Sequence, residues 1–276
     1  MPPAHPSSSR RVLVTGGAAG LGLALVRAFA ARGDRVLATD LAEAPPSGVL
    51  PAGVGYRRLD VRSDSDWARA REAVEQDWGG LDILVNNAGI AAGGRIEVAE
   101  MSEWEAILGV NLLGVARGCR TFTPGFKAQR SGTIVNIASL AGLTQGPAMA
   151  AYNASKAGVV ALSETLLHEL SPHGVQVSVV CPSFLRTGLA SSLRGADSLA
   201  EEGKERYLAT AKRTPEVVAA RVMAGVEAGR FIVFADLEGR LAFWTKRLAT
   251  PVYRRVMSIP ARRMAAAERR LSSSRT

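Results

Sequence analysis

Residues 11–33 read RVLVTGGAAGLGLALVRAFAARG. The first five form a β-branched, apolar run ending in glycines, the pattern of a short buried strand. From Leu21 the apolar residues recur at helical spacing until Gly33, a helix stop. Gly16, Gly20 and Gly22 between them are spaced GxxxGxG. Glycines at a strand-to-helix turn permit a tight bend and close backbone approach by a pyrophosphate, which then sits on the helix N-terminus. A plain packing turn has the same look, so context decides. Asp40 ends the next strand, RVLATD, at the distance where an acid binds ribose hydroxyls. Its charge repels a 2′-phosphate, and Ala18, Ala19 and Leu41 supply no cation to offset that. NAD(H) is therefore expected in preference to NADP(H).

Strand-like and helix-like segments alternate onward to residue 234. VGYRRLDV reads as a strand, Asp64 to Trp78 as a charged helix, and LDILVNN as a buried strand. A long helix is expected from about Ser102 to Lys127, bent near Pro124. TIVNIAS, VQVSVVCP and FIVFA are further strands, and a helix containing Tyr152 stops at Pro172–Gly174. Alternation of this kind implies an α/β fold: one Rossmann-like, doubly wound parallel sheet of about seven strands, helices on both faces. Strands covered on both sides should be nearly continuous apolar runs, as these are. The expected division is a Pro/Ser-rich disordered tail (1–9), the α/β domain (10–239) and a basic extension (240–276).

The chain has 276 residues, 47% hydrophobic and 21% charged, which is ordinary globular composition. Its net charge of +9 is unevenly placed. Residues 240–276 carry ten basic side chains and one acid, Glu268, and the rest of the chain balances. The opening MPPAHPSSSRR lacks the apolar core of a signal peptide, and no run of 18 apolar residues suggests a spanning helix. Cys119 and Cys181 are far apart in apolar runs, which suits buried thiols in a reducing, cytoplasmic setting. His5, His168 and His173 share no metal-ligand spacing, so no metal is expected.

Tyr152 and Lys156 lie four apart on the expected helix AAYNASKAGVVALSETLLHEL, one turn apart on one face. A free tyrosine keeps its proton until about pH 10. A fixed cation favours the phenolate and brings that value towards working pH, where the group can exchange protons.

Taken together, these motifs make the chain resemble the short-chain dehydrogenase/reductase family over roughly residues 10–235. TGGAAGLG matches the family's TGxxxGxG, with Leu21 among the turn residues. Asn86–Gly89, NNAG, matches the motif ending the fourth strand. Ser139, Tyr152 and Lys156 match its Ser and Tyr-x-x-x-Lys triad, and Asn111 its fourth catalytic member. The resemblance implies Tyr152 as general acid/base, Ser139 on the substrate oxygen, Lys156 on the nicotinamide ribose, and the Asn111 backbone holding a relay water. It places Asp60 and Val61 beside the adenine and Asn87, Ala88 and Gly89 along the ribose. Pro182 to Thr187 resembles the PGxxxT loop beside the carboxamide, with Ser183 where the family has glycine.

The implied activity is NAD(H)-dependent interconversion of a secondary alcohol and a ketone, or of an alcohol and an aldehyde. The substrate loops offer mostly apolar residues, among them Met149 and Phe184, with Gln145 as a polar exception. This suits a lipophilic alcohol or ketone. One rival is an NADPH-dependent 3-oxoacyl thioester reductase, which wants a cation near Asp40. Another is an NAD-sensing scaffold without chemistry, which commonly lacks the tyrosine or lysine. Leu189 to Arg213 resembles the family's mobile lid.

Family members are usually homodimers or homotetramers, and Val159, Val160, Leu162, Leu166 and Leu167 can serve a core face and such a contact. In the extension, Leu241, Trp244, Leu248 and Val252 are expected on one helical face, flanked by Arg240, Lys246, Arg247, Arg254 and Arg255. Peripheral contact with an anionic membrane, an oligomer contact and a solvated extension are all open readings. Pro251 and Pro260 interrupt the pattern, and Phe243 and Tyr253 blur its faces. No recognised nucleic-acid module is present.

Overall fold

The computed structural model describes residues 9–183, 197 and 213–273, with side chains up to residue 269. Phe184 and Thr187 lie outside the described residues, as do most of 189–213 and residues 1–8.

Seven strands form one parallel sheet: β1 (Arg11–Thr15), β2 (Arg35–Asp40), β3 (Gly55–Arg58), β4 (Ile83–Asn86), β5 (Gly132–Ile137), β6 (Val175–Cys181) and β7 (Ile232–Phe234). Their spatial order is β3-β2-β1-β4-β5-β6-β7. The winding reverses between β1 and β4, so their carboxyl ends flank a crevice, the usual ligand position in such sheets.

Alternate side chains of each strand enter opposite cores. Leu13, Leu84, Ile134 and Val179 pack with Trp67, Phe122 and Leu166 from α2 (Asp64–Trp78), α4 (Gly114–Gln129) and α5 (Ala150–Leu170). Val12, Val14, Ile83 and Val135 pack with Leu25, Phe29 and Val222 from α1 (Gly20–Ala31) and α6 (Pro215–Glu227). Burial on both faces explains why β1, β4 and β5 lack a polar alternation, whereas the edge strand β3, GYRR, is largely exposed. α2 begins where expected because the Ser63 hydroxyl accepts from the Asp66 amide at 3.2 Å, with Asp64 and Asp66 in its first turn. On α5, Val159 and Leu166 are buried, and Val160, Leu162 and Leu167 pack against the same core.

The long helix expected over Ser102 to Lys127 needs correction. It is α3 (Met101–Leu108), a π turn (Gly109–Leu113) and then α4, which continues through Pro124. The irregularity falls at Asn111, where side-chain bonds to a neighbouring loop are made. Wide turns of this type recur at functional sites. VGYRRLDV is likewise shorter than expected: only Gly55–Arg58 pairs with β2, and Asp60 and Val61 already belong to the loop.

A buried polar chain crosses the sheet. The Asn86 amide donates to Asn136 Oδ1 at 2.9 Å, and Asn136 donates to Ser163 Oγ at 3.0 Å. This ties β4, β5 and α5 together. Helix α4 approaches closely because position 118 has no side chain: a Cβ there would lie 2.3 Å from Asn86 Oδ1 and 2.7 Å from Trp67.

Beyond β7 the chain forms α7 (Leu237–Leu248) and α8 (Thr250–Ser273), α7 starting three residues before the boundary drawn from charge. Here too the expectation is corrected. Pro251 falls in the first turn of α8, where no intrahelical N–H bond is lost, and α8 runs on through Pro260. Phe243 and Tyr253 turn inward: Phe243 packs on Phe234 with centroids 5.6 Å apart, and the Tyr253 hydroxyl donates to the Gln145 carbonyl at 3.4 Å. The helix faces are cleaner than the sequence pattern suggested.

Gly118→Ala should overpack the α4–sheet contact and cost about 1–3 kcal/mol. Urea unfolding checks this; an unchanged midpoint would show that α4 yields without strain.

Candidate active site

The glycine turn is laced to the end of β4. The Thr15 hydroxyl accepts from the Asn87 and Ala88 amides, each at 3.0 Å. The Asn87 side chain donates to the carbonyls of Thr15 (2.9 Å) and Gly16 (3.1 Å). Gly16 has φ +62°, and a Cβ on Gly22 would sit 2.0 Å from the Gly16 oxygen. Both positions therefore demand glycine. Ala19, before Gly20, offers no side-chain cap to α1, and the first turn holds no acid. The first-turn amides, that of Leu21 included, have no intrahelical acceptors and lie open to an anion. The Leu21 side chain points into the core.

Asp40 lies across this turn. Its carboxylate accepts from the amides of Ala18 (3.1 Å) and Leu41 (2.8 Å). Arg58, opposite Asp40 on β3, escaped the sequence reading because it adjoins only through strand register. Its guanidinium is committed to Asp66 (2.9 Å) and Glu43 (3.1 Å). Asp60 pairs with Arg62 at 2.7 Å, and bonding to that guanidinium holds its carboxyl below the usual range. The Val61 carbonyl accepts from the Trp67 indole at 3.0 Å, which pins the loop after β3. A glycine cradle, an uncapped helix end and an acid at the ribose position fit a nicotinamide dinucleotide.

Asn111 and Lys156 meet at Gly89 in the loop after β4, and Ser139 follows β5. Lys156 is buried, and its Nζ donates to the Ile137 carbonyl, the last of β5, at 2.9 Å. The ammonium lies 5.9 Å from the centre of the Tyr152 ring. Burial pulls Lys156 down to about 8, opposed by the nearby Cys181 sulfur. Cys181 itself is pushed up to about 12 by burial, so its thiol is neutral and inert at neutral pH. The Asn111 side chain accepts from the Ile90 amide and donates to its carbonyl, both at 2.9 Å, and donates to Ser155 Oγ at 3.3 Å. A Cβ on Gly89 would lie 3.2 Å from Asn111 Oδ1 and 3.6 Å from Lys156 Nζ, so Gly89 sits between them. Ser139 follows β5, half-buried, its hydroxyl accepting from the Ala141 amide at 3.1 Å.

Tyr152 packs in an apolar cluster with Ala92, Ile107 and Met149. Trp104 joins it from α3. Nothing in the sequence pointed there, because α3 has no motif and approaches Tyr152 only through the fold. Gln145 is engaged elsewhere: its Nε2 donates to the Gly142 carbonyl at 3.0 Å and its Oε1 accepts from Lys246 of α7. Pro182 is buried, its carbonyl accepting from the Leu140 amide at 2.8 Å. Ser183 has no left-handed backbone, so serine suits the family's glycine position without strain. Its hydroxyl donates to Asp236, which also caps α7 through the Gly239 amide at 2.6 Å. A cavity of about 580 Å³ opens between residues 94–97, 145–148, α5 and α8, on the face of α5 that carries Ala150, Asn153, Ala154 and Ala157 and not Tyr152.

A family model described as short chain dehydrogenase matches residues 10–198. The chain belongs to this family. It is 35% identical to the 2-(S)-hydroxypropyl-CoM dehydrogenase 3 of Xanthobacter autotrophicus over 77% of this chain and 87% of that one. It is 38% identical to the 3-alpha-(or 20-beta)-hydroxysteroid dehydrogenase of Mycobacterium tuberculosis over 63% of this chain and 68% of that one. Among solved structures it resembles a short chain dehydrogenase/reductase from Burkholderia phymatum in complex with NAD, with TM-score 0.79, 29% identity and coverage of 89% and 97%. As a family member the chain is an oxidoreductase acting on CH–OH groups through a nicotinamide cofactor.

Burying the Lys156 charge costs stability. Its pKa falls from 10.5 in the unfolded chain to about 8 in the fold, a cost of roughly 3 kcal/mol while both states are protonated. Between pH 8 and 10.5 the unfolded chain holds more protons, so that cost is relieved as pH rises. Lys156→Met should therefore have a Tm at pH 7 no lower than wild type, an advantage that shrinks above about pH 9. A Tm several degrees lower at pH 7 would make the ammonium a structural strut.

Proposed function

We propose that this protein is an NAD(H)-dependent dehydrogenase that interconverts a secondary alcohol and a ketone on a lipophilic substrate. The observation that carries it is the buried Lys156 ammonium, held on Ile137 with the Tyr152 ring 5.9 Å away, beside the glycine-turn crevice. The nicotinamide, when bound, accepts or donates the hydride. Tyr152 removes the alcohol proton in oxidation and returns it in reduction. Lys156, still mostly charged at pH 7, lowers the cost of the Tyr152 phenolate and holds the ribose. Ser139, at the mouth of β5, orients the substrate oxygen. Asn111 has its side chain engaged on Ile90 and Ser155, so the relay role falls to its backbone in the π turn.

The preference for NAD(H) rests on Asp40 and on the commitment of Arg58 to other acids. Gly16, Gly20, Leu21 and Gly22 hold the pyrophosphate. Asp60 and Val61 flank the adenine, Asn87, Ala88 and Gly89 the ribose, and Pro182 and Thr187 the carboxamide. The lipophilic substrate is inferred from the cluster around Tyr152, where Met149 is a contact residue and where Ala92, Ile107 and Trp104 bring no charge. Phe184 and Gln145 are the remaining proposed contacts, Gln145 once its amide is released from Gly142 and Lys246. Residues 10–239 are taken as the catalytic unit. Family members are commonly oligomeric, and a homodimer or homotetramer is proposed. Two buried free cysteines suit the cytoplasm.

Tyr152→Phe should lower kcat by about 10²–10⁴-fold on the best alcohol of a lipophilic panel, with NAD⁺ affinity kept. Wild-type turnover in that variant would overturn the proton role. In fluorescence titrations NADH should bind more tightly than NADPH, and Asp40→Ala should narrow the difference. Tighter NADPH binding to the wild-type protein would refute the cofactor reading.

A further inference from the structure

Most of the large apolar side chains that the described surface exposes lie beyond β7. On α7 they are Leu237, Leu241, Trp244 and Leu248, the last 78% exposed. Their spacing of four, three and four places them in one stripe along the helix. Lys246 projects to the opposite side, where its ammonium donates to the Leu143 carbonyl at 2.7 Å and to Gln145. Phe243 packs on Phe234 there as well. The docked face and the exposed stripe are thus opposite faces of one helix.

The arrangement repeats on α8. Val252, Val256 and Ile259 are exposed at spacings of four and three. Tyr253 faces inward to Gln145, and Glu268 pairs with Arg95 at 3.8 Å. Arg240 and Arg247 on α7, and Arg254, Arg255, Arg262 and Arg263 on α8, are all exposed beside the stripes. Glu238 in the first turn of α7 is an exposed acid on these helices, whereas Glu268 is engaged by Arg95.

We propose that α7 and α8 form a docking surface for an anionic lipid bilayer, with the stripes at the acyl boundary and the arginines on the headgroups. Charge complementarity selects this occupant. A second copy would cover the stripes but bring two segments of net +9 together. A nucleic acid would neutralise the arginines but leave Leu248 and Trp244 in water. An anionic lipid surface takes both features at once. No helix among the described residues is long and apolar enough to cross a membrane, so the contact is peripheral. The proposal stands on exposure and charge and is independent of the catalytic reading. It does have a geometric consequence for it: the inner faces of both helices grip Gln145, in the loop that follows Ser139. Docking would therefore bring the substrate loops close to the lipid.

The test is co-sedimentation of the full-length protein with phosphatidylcholine vesicles, with and without phosphatidylglycerol. Wild type should sediment with the anionic vesicles, weakly in high salt, and remain in solution with phosphatidylcholine alone. The double substitutions Trp244→Ser with Leu248→Ser, and Arg254→Gln with Arg255→Gln, should each cut the bound fraction about ten-fold at limiting lipid. Both should keep the cofactor-induced rise in Tm, which shows that they are folded. Wild-type protein left in the supernatant with anionic vesicles would overturn the proposal. So would anionic binding untouched by the Trp244/Leu248 change, since the arginines would then be acting as a bare polycation. Light scattering in which that change splits a wild-type oligomer, with no vesicle binding by either protein, would assign the stripes to a second copy instead.

Discussion

The Lys156 ammonium donating to the last carbonyl of β5 is the contact on which the site depends. It joins α5 to the end of the sheet inside the protein, where a cation is costly. That cost is visible in the depressed pKa of the lysine. A charge kept there against solvation acts strongly on its neighbours, because little water screens it. The remainder of the site reads as support for this arrangement. Asn111 clamps the loop after β4 beside it, Gly89 leaves space for it, and Ser139 emerges two residues beyond the carbonyl that holds it.

The sheet makes such a placement feasible. Parallel strands end together, so the loops after β1, β4, β5 and β6 meet at one edge. The bond from Asn87 to Thr15 and Gly16 joins the glycine turn to the β4 loop, and the Leu140 to Pro182 bond joins the β5 and β6 loops. Buried amides at Asn86 and Asn136 extend the linkage through the sheet interior to Ser163 on α5. Such groups are costly if unpaired, so they favour one register of β4, β5 and α5.

The extension is coupled to the site as well. Ser183 bonds the residue that caps α7, and Lys246 holds the loop containing Gln145. The departure from the family glycine at 183 thereby acquires a partner: its hydroxyl bonds Asp236, the cap of α7. Gln145, read from the sequence as a polar substrate contact, lies under that helix. Its neighbours in space are a hundred residues away in the chain, and local pattern has no means of finding them.

Much of the architecture was legible because it follows from local rules. The β1 and β2 runs, Gly33 and Gly174 as stops, and continuous apolar strands each carry their own physical signature. The Tyr152–Lys156 spacing alone specifies a shared helix face. Misreadings arose where long-range contacts override local preference. The helix over Ser102 to Lys127 departs from α geometry at Asn111, not at the proline, since Asn111 must reach Ile90. Arg58 was missed because strand register alone brings it beside Asp40. Trp104 joins Tyr152 only after α3 folds across the crevice. The sequence by itself determined the elements, the doubly wound sheet and the types of chemical group at its edge, because periodicity and turn chemistry are local. The tertiary structure alone decided which charges are paired, how deeply Lys156 is buried and which helix faces remain in water, because burial and electrostatics depend on what the rest of the chain places nearby.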